Sequence, residues 1–407
     1  MQISKKWVNI LLLNILIVAA LGILMRYKIG FEFPYFDQKN IQNAHSHFAF
    51  SGWVTQAFLY LLVNFISPYL RLEEIKKYNI LLNLNLFCAY LMLLSFAVQG
   101  YGLVSIILST ISLVIFFIFS FNCYKILKKL PFQESVKWFK AALIWGAVSS
   151  VGTLSLSVMM ATKNLEQHLY LSSIYWYLHF QYNGWFFFMI MGLLWIYVQK
   201  LIPKIVIPSS IFKLFFLSCL INYGLSILWL QMPLPIYLLI ATGVLVQSIA
   251  AFQFFKLLFK KSFFASLPTK LLKYLFTFLG IALLIKFSLQ LLSIIPSISK
   301  LAFGFRPIVI AYLHLVLLAI TSVFLITYLF ANQFIINNIK AKAAIIIFTI
   351  GVLLNELILG IQGIASITYT VIPYTNYILL AVSVLIFVGI ILLLKSQILT
   401  HKIRLTE

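Results

Sequence analysis

The sequence predicts an all-α polytopic membrane protein: one transmembrane bundle over residues 1–407, about twelve helices, with both termini cytoplasmic. Three observations lead there. Of 407 residues, 63% are hydrophobic and only 9% charged, whereas soluble chains are about half apolar and a quarter charged. Apolar runs long enough to span a bilayer, about 20 residues each, recur along the whole chain. Between them, Lys and Arg collect in alternate gaps.

The runs fall near 7–25, 46–68, 79–99, 103–124, 140–161, 173–198, 211–231, 235–255, 272–294, 307–330, 342–363 and 374–395. The first follows Lys5 and Lys6. No small-residue cleavage site follows it cleanly and more spans come after, so it reads as a retained helix rather than a signal peptide. With the N-terminus inside, the outer loops carry only Arg26, Lys28, Lys39, Lys163, Lys300 and Arg306. Lys286 lies within the ninth run, and the remaining 23 of the 30 basic residues fall inside. That asymmetry is what the positive-inside rule requires. The longest loop is the first outer one, Arg26 to Ala44. No linker or soluble segment interrupts the chain, and no repeat relates its halves.

The formal charge of +22 does not indicate a nucleic-acid partner, because the basic residues sit in short gaps between spans rather than on one soluble face. The bilayer is the expected partner, and a bacterial inner (plasma) membrane the expected location. Cys88, Cys123 and Cys219 lie in or beside apolar runs with no metal-binding or disulfide spacing.

Six histidines stand out against this background. His401 is in the tail, and His168 in an outer loop. His45 and His47 open the second run, in Asn43-Ala-His-Ser-His-Phe-Ala-Phe-Ser-Gly-Trp53. His179 enters the sixth, in Tyr175-Trp-Tyr-Leu-His-Phe-Gln-Tyr-Asn-Gly-Trp185, and His314 the tenth, in Arg306-Pro-Ile-Val-Ile-Ala-Tyr-Leu-His314. All three runs enter from the outer face, so the imidazoles share a layer about 5–15 Å deep at 1.5 Å per residue. Imidazole in hydrocarbon is costly unless paired, and such residues are often functional. Neutral imidazole ligates metals and haem iron. The scarcity of carboxylates rules out a carboxylate-rich di-iron site. Imidazole with aromatics and amides points to haem or copper. His45 and His47 lie on opposed faces of a helix, so one of them faces any single partner. In the sixth run His179, Tyr182 and Asn183 share a face. Gly52 and Gly184, before Trp53 and Trp185, admit a close neighbour or a flat ring.

These segments resemble the haem–copper oxidase superfamily, the catalytic subunit of terminal oxidases and nitric-oxide reductases. The likeness covers the chain in outline, as twelve helices with cytoplasmic ends, and touches motifs in three places. His-Ser-His-Phe-Ala-Phe-Ser-Gly-Trp is similar to the second-helix segment that ligates a low-spin haem, with His47 or His45 as ligand. Tyr312-Leu-His314 is similar to the tenth-helix segment carrying the opposite ligand. Trp176-Tyr-Leu-His179 is similar to the sixth-helix segment carrying one copper ligand. The resemblance implies haem b between His47 (or His45) and His314, with Arg306 at a propionate and His179 at the second metal site. Tyr312, Tyr182, Asn183, Trp53 and Trp185 would line the sites. The implied activity is electron transfer, or binding or reduction of oxygen or nitric oxide, supplied by a donor subunit, quinol or cytochrome.

Three departures bear on the copper and high-spin haem. Tyr312 stands where the family has its high-spin histidine. The seventh run has no histidine, and Asn183 replaces the sixth-helix tyrosine. The oxygen-reducing centre is therefore incomplete, and whether the chain is an oxidoreductase stays open. Glu356 in the eleventh run is a candidate proton relay or a partner for Lys286. The alternative function is a non-haem transporter or channel using the histidines as a proton or metal relay.

Overall fold

The computed structural model describes residues 6–131, 133–164 and 166–406, and the side chains of 302 and 399–406 lie outside that description. Lys5, His401, Lys402 and Arg404 therefore fall outside what is said below.

Twelve helices are long and apolar enough to cross a membrane: α1 (Lys6–Gly30), α2 (Gln38–Tyr69), α3 (Leu72–Gln99), α4 (Leu103–Lys129), α5 (Glu134–Thr162), α6 (Gln167–Leu201), α7 (Ser209–Ile227), α8 (Leu234–Lys260), α9 (Lys270–Leu292), α10 (Arg306–Ala331), α11 (Ile339–Ile367) and α12 (Thr375–Ile398). Each matches one apolar run, because hydrocarbon leaves the backbone no partner except itself. There is no strand among the described residues. Polar residues mark the ends. The Asp37 carboxylate accepts from Asn40 N at 2.8 Å to start α2. Thr269 accepts from Leu272 N at 3.2 Å to start α9. Gly100, at φ 60°, closes α3, in a left-handed conformation that glycine adopts without strain.

The chain divides into two compact units. Unit 1 is Met1–Leu130, Tyr328–Ile358 and Ile372–Glu407; unit 2 is Pro131–Thr327 and Leu359–Val371. In unit 1, α1 packs on α12 and α2, and α3 packs on α2 and α4. In unit 2, α6 packs on α5, α8 on α7 and α9, and α9 on α10. Small residues set the closest approaches, as expected where no hydrophobic force separates helix from lipid. A Cβ on Gly152 of α5 would collide with the Ser173 carbonyl and lie 2.8 Å from Tyr177 N, so this glycine seats α6 backbone to backbone.

Three helices differ from the rest. In their most apolar stretches α2, α6 and α10 are 72%, 78% and 50% buried, against 44% or less for every other span. These are the three that carry the intramembrane histidines.

Candidate functional site

Each histidine helix changes geometry just after its histidine. From α-type bonding it widens to the i→i+5 pattern over Ala49–Thr55 in α2, Phe180–Phe186 in α6 and Leu315–Ser322 in α10. Such π turns are rare and cluster at functional sites. Widening loosens the carbonyls, and side chains reach them. Asn14 donates to Gly52 O at 2.5 Å and Cys219 Sγ to Asn183 O at 3.5 Å. Thr321 donates to Val316 O and Ser322 to Leu317 O, each at 2.8 Å.

Burial changes at the same point. Along α10, Arg306–His314 contains no buried residue, while Leu315, Val316 and Ala319–Ser322 beyond it are buried. Along α6, residues 167–179 bury only Ser173 and His179, whereas 180–186 are all buried. In α2, residues 38–48 bury only Ile41, Ala44 and Phe48. Each helix is loosely covered up to its histidine and tightly packed past it.

In unit 1 the two histidines of α2 diverge. His45 Nδ1 lies 3.1 Å from Val18 O on α1. A carbonyl only accepts, so the proton sits on Nδ1 and the lone pair on Nε2. His47 turns the other way. Its ring stacks on Phe96 at 4.0 Å between centroids, and its Nε2 lies 3.0 Å from the Tyr101 hydroxyl. Past them the cluster closes. Tyr90 donates to Asn14 Oδ1 at 2.7 Å, Asn85 to Gln56 Oε1 at 2.6 Å and Gln56 to Leu82 O at 3.1 Å. Phe48 lies over Gly52, where an added Cβ would stand 2.5 Å from its ring.

In unit 2, His179 is 2% exposed. Its Nε2 lies 2.9 Å from Cys219 O on α7, which places the proton there. Its Nδ1 lies 3.2 Å from Asn183 Nδ2 and 3.4 Å from Ser226 Oγ. The helical face expected for His179 and Asn183 is thus real. Tyr182 reaches Tyr312 of α10, with ring centroids 6.2 Å apart. His314 Nδ1 lies 2.9 Å from Ile310 O, which again leaves the lone pair on Nε2. Arg306 is exposed at the start of α10. Trp53 and Trp185 are fully buried core residues.

The sequence missed the polar chain beside His179. Asn222 donates to Gln247 Oε1 at 2.9 Å, and Gln247 to Gln290 Oε1 at 2.8 Å. Lys286 donates to the same oxygen at 3.1 Å. Lys286 is 3% exposed, with its ammonium over Phe287 at 4.7 Å and Phe187 at 5.7 Å. His179, Asn183, Phe187, Phe215, Cys219, Gln247, Lys286 and Phe287 enclose a small cavity. Glu356 of unit 1 accepts from neighbouring Asn355 at 3.1 Å. One sequence signal also went unread. His47-Phe-Ala-Phe-Ser-Gly-Trp53 and His179-Phe-Gln-Tyr-Asn-Gly-Trp185 are the same heptapeptide pattern, and both fold into π turns.

Outside the membrane, Glu166 caps α6, accepting from His168 N at 3.0 Å and Leu169 N at 2.5 Å. The Leu169 N–H, then that of His168, holds its carboxyl below the usual value of 4.5. The His168 ring stacks on Trp229.

Among the described residues no group of three or more His, Cys, Asp or Glu side chains is arranged around a common metal position. No family model matches the chain, and no curated protein matches it.

Proposed function

We propose that this chain is a membrane haem protein, a divergent relative of the haem–copper oxidases. It would bind haem b through imidazoles and serve in electron transfer, or in binding or reduction of oxygen or nitric oxide. What supports the reading is that α2, α6 and α10, each taken by itself, change geometry at their histidines. Up to each histidine the helix is less covered than beyond it, and a π turn follows. The rings of His45 and His314 suit iron. Each has Nδ1 held by a backbone carbonyl, the outer-shell arrangement that orients ligating histidines and keeps Nε2 as the donor atom. Either His47 or His45 would serve as the partner ligand on α2. Bound haem would supply a one-electron iron centre. Within the chain's own part, the backbone carbonyls fix each tautomer and the packed π turns exclude water below them.

Copper is not part of the proposal. Both nitrogens of His179 already face protein partners, and among the described residues no group of three or more His, Cys, Asp or Glu is arranged around a common position. The rival reading, a transporter or channel without haem, draws on the buried chain from Asn222 to Lys286.

A reduced-minus-oxidised visible spectrum of detergent-purified protein, expressed with ample haem, separates the two. Sharp b-type bands are expected in the wild type, with loss in His314→Ala and in one of His47→Ala and His45→Ala. A flat wild-type spectrum from well-folded protein overturns the haem reading and favours the transporter.

A further inference from the structure

A polar side chain that faces hydrocarbon is costly, because lipid tails neither donate nor accept a hydrogen bond. Unit 1 contains one deep case. Asn83 is exposed, and it lies eleven residues from one end of α3 (Leu72–Gln99) and sixteen from the other, ~17 and ~24 Å along the axis. Among the described residues, no other Asn, Gln, His or charged side chain is exposed more than ten residues from both ends of its span. Asn83 Nδ2 donates to Asn79 O, one turn back, at 2.8 Å. The amide has a second N–H and an oxygen with two acceptor sites, and among the described residues neither has a partner.

The face around it is apolar and uncovered. Ile80, Leu84, Phe87 and Leu94 are 59%, 44%, 62% and 62% exposed. Their spacing of four, three and seven residues is that of a seam between helices crossing at a shallow angle, and Asn83 stands beside it. Lipid covers the apolar residues of such a face but leaves the amide unmet. Lys77, whose charge belongs to the headgroup layer, is six residues away, ~9 Å along the axis. What the amide needs therefore selects the occupant. It carries a donor and an acceptor on one group at any pH, so it is complementary to itself. A second copy of this chain, inserted the same way, brings Asn83 to the same depth without further adjustment. About a twofold axis along the membrane normal, each amide then donates to the other's oxygen in an isologous contact.

We propose that the Asn83 face of α3 is a dimerisation surface, covered by α3 of a second copy, with a reciprocal pair of Asn83 amide bonds inside it. The surface belongs to unit 1 alone and is independent of the haem reading.

The test uses the full chain in liposomes over a range of protein-to-lipid ratios, with one fluorophore per copy and copies counted by stepwise photobleaching. The wild type is expected to pass from one copy to two as its density rises. Asn83→Leu, which lipid solvates, should move that transition to about tenfold higher density, and Asn83→Gln should stay closer to the wild type. A cross-link locates the contact. Cys88, Cys123 and Cys219 are buried, so mild oxidation should join Phe87→Cys chains into a disulfide dimer. It should leave Phe252→Cys, 65% exposed on α8, unjoined. Should Asn83→Leu fail to fold, the cross-link decides by itself. Single copies at every density, equal association of the wild type and Asn83→Leu, or equal linkage at positions 87 and 252 each overturns the proposal.

Discussion

The heptapeptide of α2 and that of α6 begin alike and end in different environments. In unit 1, Ser51 turns its hydroxyl back to its own helix, at 2.7 Å from His47 O. His47 swings away to Tyr101, and the neighbouring amides close on one another. None of Asn14, Gln56, Asn85 and Tyr90 has a buried atom without a partner. In unit 2, Asn183 replaces that serine and holds His179 inside. Buried oxygens of Gln181, Asn183 and Asn222 have no donor, and a small cavity adjoins Asn183. A local sequence pattern thus sets the π turn. The side chain four residues after the histidine, and what the neighbouring helix offers, decide whether the result is packing or a site.

Substitutions sharpen that contrast, beginning with the glycines. A Cβ at position 184 would stand 2.6 Å from Trp145 Cβ, close to the backbone of α5, whereas at position 52 the nearest atoms are those of the Phe48 ring of its own helix. Gly184→Ala should therefore cost near the upper end of the ~1–3 kcal/mol typical of overpacking, and Gly52→Ala nearer the lower end. Thermal midpoints in detergent measure both, and equal losses would show that the two turns are packed alike.

The polar clusters come next. Asn14→Ala strands both Gly52 O and the Tyr90 hydroxyl, so a loss of about 1–2 kcal/mol is expected. Asn183→Ala removes an orphan oxygen together with the bond to His179, and Ser226 still faces that ring. Its cost should stay below about 1 kcal/mol. Denaturant unfolding of the two variants checks the order. A larger loss for Asn183→Ala would mean that the unit 2 cluster is a closed structural one after all.

The smallest effect lies at the entry to α6. Glu166 has its carboxyl lowered by backbone donors, so its cap strengthens the helix start above the ordinary glutamate value and is lost as pH falls through the folded one. Amide exchange over residues 167–170 should speed up on acidification in the wild type. In Glu166→Gln the same amides should be insensitive to pH once intrinsic exchange is corrected for. No acid response in the wild type would show that the cap carries no weight.

The twelve spans were legible because each depends on a property of the chain alone, a run of apolar residues of the right length in a medium that satisfies no backbone group. The position of each of His45, His47, His179 and His314 along its own helix was legible from its distance to the end of that run. The link from Gln290, four residues after Lys286 on α9, to Gln247 on α8 was not, since it depends on how α8 and α9 are rotated. The divergence of His45 from His47 was foreseen in part, because residues two apart on a helix point about 200° away from each other. Which of them met a backbone carbonyl depended on α1 passing beside His45.

The sequence by itself determined which segments are helices, how deep the histidines lie along them, and where glycine permits close contact. These follow from composition and rise per residue. Only the tertiary structure decided which nitrogens of His45, His179 and His314 face a backbone carbonyl, which carbonyls the π turns expose, and that Lys286 is buried against Gln290, Phe187 and Phe287. Those outcomes depend on contacts between helices distant in sequence, where a rotation of a few tens of degrees exchanges one partner for another.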